Sequence, residues 1–238
     1  MKKILHLFPK LLCLYGEYGN VAILRRELER MGLEVSVTES ESADVNFCDF
    51  DFVYVGSGTE DNLMEAAGRL GEAGESILAS MQSGTLYLAT GNAMALFGKS
   101  ITRLDRQVAG VEAFSYTTQI REDKRYLGDV LTTDSNVCAA RTLGFINTSC
   151  VISGIQKPLL ALELGEKLGN DKMSAADGIL EENFIGTQLI GPFLVKNPHF
   201  LAYVVKKLTG EKPVMDPESN QVKAYEVAVS QLTGRLQK

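Results

Sequence analysis

Four cysteines and two histidines are the first candidates for nucleophilic or metal chemistry in this chain. Cys13, Cys48, Cys138 and Cys150 form no CxxC pair, and His6 and His199 are the only imidazoles. Zinc takes its ligands at characteristic close spacings, so the pattern predicts no metal site and no cofactor. Gly98-Lys99-Ser100 imitates the end of a phosphate loop, but Ala93 stands where the loop wants its first glycine, and Met94–Phe97 reads as a short helix. The expectation is therefore a helix-capping glycine followed by a loop lysine. Gly56-Ser57-Gly58 fails the dinucleotide fingerprint because Asp61 occupies the third glycine position. What remains is a glycine turn at the carboxyl end of a strand, where open α/β sheets bind ligands. The most informative segment is Leu86-Tyr87-Leu88-Ala89-Thr90-Gly91-Asn92-Ala93, a strand, a sharp turn and a helix start. Such an elbow can present one side chain at the top of a sheet for nucleophilic attack.

The elements that must hold these turns follow from hydrophobic period. Lys3–Phe8 reads as a first buried strand, closed by Pro9. Residues 17–31 read as a helix with Val21, Leu24, Leu28 and Met31 on one face. Strands are expected at 33–37, 50–55 and 85–90, with a helix over 60–81 weakened or broken by Gly68, Gly71 and Gly74. That opening predicts a doubly wound α/β protein with a largely parallel sheet. Residues 107–120, 125–133 and 142–153 alternate without helical period and read as shorter, partly antiparallel strands. A hairpin turn is expected at Asp177-Gly178, a strand over 184–190, and a helix over 197–209 capped by Asn197 with Pro198 at its first position. A last helix over about 216–236 carries Val222, Tyr225, Val229 and Leu232 on one face, and one domain is expected over 1–238.

Composition excludes several classes of function. The 238 residues carry 24 Lys+Arg against 30 Asp+Glu, a formal charge of −6, with 45% hydrophobic residues. An acidic chain lacks the basic face that duplex DNA or an anionic membrane demands, so no nucleic-acid or membrane partner is expected. A chain this long buries roughly 70–75% of its unfolded surface and needs no disulfide or metal staple. Met1-Lys2-Lys3 before an apolar run imitates a signal peptide, but His6, Pro9 and Lys10 break the run and no small-residue cleavage site follows. The expected location is the cytoplasm, with reduced thiols.

Six segments then occur in an order that resembles the class I glutamine amidotransferases of the cobyric-acid-synthase type, especially the glutaminase subunit of lipid II isoglutaminyl synthase. They are Leu14-Tyr15-Gly16-Glu17-Tyr18-Gly19-Asn20, Asp51–Gly58, Arg125-Tyr126-Leu127-Gly128-Asp129, Gly144-Phe145 with Asn147, Gly186–Pro192, and Lys196-Asn197-Pro198-His199. The resemblance covers residues 3–205. It implies a flavodoxin-like three-layer fold, with a mostly parallel central sheet and extra antiparallel strands. It also implies a cysteine nucleophile, a histidine base, a glutamine-like small molecule as ligand, and a Mur-ligase-like partner subunit that consumes the released ammonia.

The sequence departs from that family where the chemistry sits. The family's L-A-x-C-G-G turn is here Leu88-Ala89-Thr90-Gly91-Asn92-Ala93, so the nucleophile position is Gly91. The histidine of its G-T-x-L-H-G-P motif is here Ile190. A thioester needs a thiol and a base to ionise it, and the two positions supply neither. Around them the family's G-G-Y-Q becomes Asn92-Ala93-Met94-Ala95, and its H-x-G-R-T after Asn147 becomes Thr148-Ser149-Cys150-Val151-Ile152. The glycine turn Gly56-Ser57-Gly58, which offers oxyanion-hole backbone in the family, is retained, and its three residues together with Asn92 of the altered elbow are the candidate ligand-binding positions. Arg125 aligns with an arginine of the family's glutamine pocket; by composition alone it is a solvated strand-end charge beside Lys124. His6 is expected to be a satisfied core histidine and His199 structural. Three readings stand: a silent amidotransferase-fold subunit kept for docking or binding, an active glutaminase with a relocated nucleophile such as Cys13 or Cys150, and a stand-alone small-ligand binder.

Overall fold

Alternation along three buried strands builds two hydrophobic cores at once. In this computed structural model the first half runs β1 (Lys2–Leu7), α1 (Tyr18–Arg30), β2 (Val35–Ser40), β3 (Phe52–Val55), α2 (Glu60–Leu70), α3 (Gly74–Gln82) and β4 (Leu86–Thr90). Residues 1–71, 73–133, 137–138 and 140–236 are described; Glu72, inside the helix expected over 60–81, and the last two residues of the expected domain lie outside them. Leu5, Leu7, Val53, Val55, Tyr87 and Ala89 meet Leu63 and Met64 of α2 and Ile77 of α3. Ile4, Phe52, Tyr54, Leu86 and Leu88 point the other way, onto Val21, Leu24 and Leu28 of α1. The expected long helix is two helices, with α2 ending at Leu70 and α3 starting at Gly74.

The second half runs β5 (Ser100–Arg103), β6 (Arg106–Ala109), β7 (Thr117–Ile120), β8 (Tyr126–Thr132), β9 (Leu143–Thr148), β10 (Cys150–Ser153), β11 (Leu160–Leu164), β12 (Ala176–Asp177), β13 (Ile179–Glu181), β14 (Phe184–Thr187), α4 (Phe193–Lys196), α5 (Pro198–Thr209) and α6 (Asn220–Leu236). The central sheet has the order β13-β14-β4-β3-β1-β2. All its pairs are parallel except the β13–β14 edge. This is the flavodoxin-like order, whose ligand crevice lies where β1 and β3 diverge. Helices α2 and α3 cover one face, α1 and α5 the other, and two further four-stranded sheets are built from β10-β7-β5-β6 and β12-β11-β8-β9.

Four expectations need correction. Asp177-Gly178 is not the hairpin: Gly178 (φ +74) joins β12 to β13, and the chain reverses at Glu182-Asn183 between β13 and β14. The strand expected over 184–190 stops at Thr187, and Ile190 leaves the sheet to bridge Phe145 of β9. α6 begins at Asn220 rather than 216, because the Asp216 carboxylate accepts the Glu218 N–H and holds a turn before it. Asn197 is not a side-chain cap. Its amide instead donates to the Leu143 and Phe193 carbonyls (2.8 and 2.9 Å), and its Oδ1 accepts the Leu143 N–H at 2.9 Å.

That buried amide joins the start of α5 to the edge of β9. Asn197→Ala leaves both backbone groups of Leu143 without a partner and should cost roughly 2–3 kcal/mol. Thr59→Ala, which removes the cap bond to Asn62 N–H at the start of α2, should cost only about 1 kcal/mol. Urea unfolding of the two variants measures the difference.

Candidate functional site

The structure brings Gly56, Ser57, Gly58, Gly91, Asn92 and Ile190 together at the carboxyl edge of the central sheet. Gly91 opens the 3₁₀ turn Gly91–Phe97 directly after β4, in the left-handed region at φ +62. This is the backbone of an elbow, which L side chains adopt only under strain. A Cβ built on Gly91 would lie 2.5 Å from Ser57 Cβ and Oγ and 2.8 Å from Ile190 Cγ2. Positions 91 and 190 are therefore neighbours, as a nucleophile and its base must be, but Ser57 and Ile190 fill the space between them.

The glycine turn is also occupied. Asn92 Oδ1 accepts the Gly58 N–H (3.0 Å) and the Ser57 hydroxyl (3.1 Å), while its Nδ2 donates to the Gly58 carbonyl at 2.7 Å. A buried N–H without a partner costs about 1–3 kcal/mol, so the Asn92 amide supplies what a bound carbonyl oxygen would supply. The loop before α1 packs on the same turn: Leu14 N–H donates to the Ser57 carbonyl at 2.9 Å.

Beneath the elbow lies a polar cluster that the sequence reading missed. Glu17 is fully buried. Its Oε2 accepts the Tyr54 hydroxyl (2.5 Å) and the Thr90 hydroxyl, and its Oε1 accepts the Gly191 N–H at 3.0 Å. Asn20 donates to the Tyr54 hydroxyl (2.8 Å) and accepts the Leu194 N–H (2.7 Å). Burial pushes the Glu17 carboxyl above its usual range, against hydrogen bonds from Thr90, Tyr54 and Gly191 and the Lys196 charge. Burial and the facing carboxylate raise the Tyr54 phenol well above its ordinary value. The available signal was Glu17 and Asn20 three residues apart at a helix start, both inside a segment already singled out by resemblance.

Arg125 lies outside this sealed cluster. It reaches Glu60 at the start of α2 (2.6 Å), two residues beyond Gly58, and donates to Asn147 at 3.1 Å. Ser149 donates to the same Glu60 oxygen at 2.7 Å, and Asn147 to the Tyr15 hydroxyl at 3.0 Å. Burial would raise the Glu60 carboxyl, but the Ser149 bond and the Arg125 charge outweigh it and hold the group below its usual range. Glu60, Arg125 and Ser149 line a cleft of about 210 Å³ shared with Arg103, Arg121 and Lys124.

Among the described residues no imidazole is hydrogen-bonded to Cys13, Cys48 or Cys150. Cys150 is buried on β10, where burial raises its thiol to about 11. Cys48 lies at the opposite end of β3 against Ser83, and Cys13 is half-buried in the loop beside Gly56–Gly58. His6 is buried but not satisfied: its Nε2 has no hydrogen bond, its ring lies 5.3 Å from that of Tyr54, and burial depresses its basicity. His199 packs edge-on against Tyr225 of α6. Among the described residues no group of three or more His, Cys, Asp or Glu could hold a metal. Gly98 caps the 3₁₀ turn as expected, and a Cβ there would meet the Tyr116 ring at 2.5 Å.

The fold and the elbow define the class: the chain has the fold of the class I glutamine amidotransferases. A crystal structure of a glutamine amidotransferase matches with a TM-score of 0.53 at 13% identity, covering 87% of this chain and 99% of that one. Among curated proteins the chain is similar to GatD, the subunit of a glutamine-hydrolysing lipid II isoglutaminyl synthase. Identity to the Streptococcus pneumoniae protein is 26% over 232 residues, covering 96% of this chain and 87% of that one. For the Staphylococcus aureus protein it is 24% over 213 residues, with 89% and 86% covered. No protein-family model matches the chain.

Two outcomes test this geometry. Gly91→Ala should be strongly destabilising, and adding Ser57→Gly should recover part of the loss, leaving the strain of the positive φ; thermal melts of the single and double variants read the coupling. A carboxyl whose folded pKa is raised adds stability below its unfolded value and loses it as pH rises through the folded one. Glu17→Gln, which cannot ionise, should therefore gain on the parent chain as pH climbs from about 4 to about 8. Urea midpoints across that range would show a constant difference if Glu17 were unperturbed.

Proposed function

We propose that this chain is a catalytically silent, GatD-like amidotransferase subunit, a single cytoplasmic domain over 1–238 retained for docking or binding. The observation that carries the reading is the filled elbow: Gly91 packs against Ser57 and Ile190, and the Gly58 N–H is already taken by Asn92. Removing one member of a nucleophile–base unit costs about 10⁶ in turnover in a protease series, and here both positions lack the required atoms. The loss leaves the scaffold intact because Glu17, Tyr54, Thr90 and Gly191 hold the turn from below. By similarity to the two-subunit lipid II enzyme, the partner it docks is a Mur-ligase-like subunit that amidates the peptidoglycan precursor. The ligand positions retained from the family are Gly56, Ser57 and Gly58, with Asn92 standing where the family has glycine and Arg125 on the rim.

The active alternative needs a new thiolate, and the raised thiol of Cys150 counts against it. Purified chain incubated with glutamine should release no ammonia above a protein-free blank. Release that disappears in Cys13→Ser or Cys150→Ser would sink the silent reading. Recovery of a ligase-like protein in near-equal amount with the tagged chain, from its own host, would support docking; recovery of the chain alone would favour a stand-alone ligand binder.

A further inference from the structure

An apolar recess lies away from the elbow, along the seam where α6 crosses the body of the protein. Helices α1 and α6 both pack on α4, and the space left beside them is a groove of about 660 Å³. That volume falls in the range of small-molecule pockets, about 300–1,000 Å³. Its apolar lining comes from Ile23, Leu143, Val195, Ala224, Ala228 and Leu232. Small residues on α6, Ala224 and Ala228, leave the depth that a larger side chain would close.

The polar lining is cationic in an otherwise acidic chain. Arg26, Lys196 and Arg235 face the groove against the single carboxylate of Asp129. Arg235 is paired with Asp129, but neither Arg26 nor Lys196 has an ion pair or hydrogen bond among the described residues. Lys196 is half-buried, and burial depresses its basicity against the attraction of the Asp129 and Glu17 carboxylates. A half-desolvated cation beside an apolar slot is stabilised by an anion that brings its own hydrocarbon.

We propose that this groove is a binding site for a small amphipathic anion, with its apolar body along Ile23, Leu143, Ala228 and Leu232 and its carboxylate, phosphate or sulfonate on Lys196 and Arg26. The site is independent of the amidotransferase reading and does not involve the Gly91 elbow. Lys196 nevertheless links the two, since a Cβ at Gly191 would lie 3.4 Å from its Nζ.

The test uses the full chain with anilinonaphthalene sulfonate as the fluorescent probe, and decanoate and decanol as competitors. The dye should bind saturably, decanoate should displace it, and decanol should compete about tenfold less well for want of a charge. Lys196→Met, which keeps the apolar stem, should weaken decanoate about tenfold. Ala228→Trp should abolish dye binding; the chain has no other tryptophan, so buried indole emission confirms that α6 is folded in that variant. Equal competition by decanol and decanoate, or unchanged binding in both variants, would overturn the proposal. Displacement by an acidic amphipathic peptide but not by decanoate would overturn it in favour of a protein segment.

Discussion

The buried carboxylate of Glu17 organises the carboxyl edge of the central sheet. Glu17 accepts hydrogen bonds from β3 through Tyr54, from β4 through Thr90, and from the turn after Ile190 through Gly191. Burying a carboxyl is costly unless its oxygens are fully coordinated, so the three donors are constrained to the positions that satisfy it. Displacing any one of them leaves the group with an unmet lone pair in an apolar setting. The arrangement also explains local composition: at Gly56 a Cβ would sit 3.0 Å from Glu17 Cβ and 3.3 Å from the Tyr54 hydroxyl. Geometry at the elbow thus persists for reasons of packing and desolvation that owe nothing to turnover.

The space above the carboxylate obeys the same rule from the opposite side. Backbone N–H groups aimed at a ligand are a liability when no ligand binds, because a buried donor needs an acceptor. Asn92 meets that need with one amide, accepting from Gly58 N–H and donating to Gly58 C=O. Ser57 and Ile190 exclude water from the remaining volume around Gly91. The result is a turn whose polar backbone is satisfied internally, with Arg125 and Glu60 beyond it paired with each other.

Much of the architecture was legible because strong periodicity dictates it. The alternation of Leu5, Leu7, Val53 and Val55 against Ile4, Phe52 and Tyr54 specifies a strand buried on both faces, and the glycines near 71–74 interrupt their helix as read. The proximity of Gly91 and Ile190 came from ordered motifs, not from spacing, since nearly a hundred residues part them. Polar tertiary contacts were not legible. Asn197 looks like a cap by position and composition, but tertiary demand from Leu143 claims its side chain. Glu17 reads as an ordinary helix-start acid, and only the fold reveals that Tyr54 and Thr90 converge on it. Short strands such as β5 and β11 escaped because four or five residues carry too little pattern to stand out.

The crowding around Gly91 imposes a direction on sequence change. A side chain at that position must first find room that Ser57 and Ile190 now occupy, and must bear a left-handed backbone besides. Neighbouring substitutions therefore act as a ratchet: each is harmless while glycine stands at 91, and together they make any larger residue there deleterious on arrival. Change there is ordered, with position 57 shrinking before position 91 can grow. A sequence carrying this turn accommodates further change at 57 and 190 more easily than it accommodates a side chain at 91, even though the elbow itself remains in place.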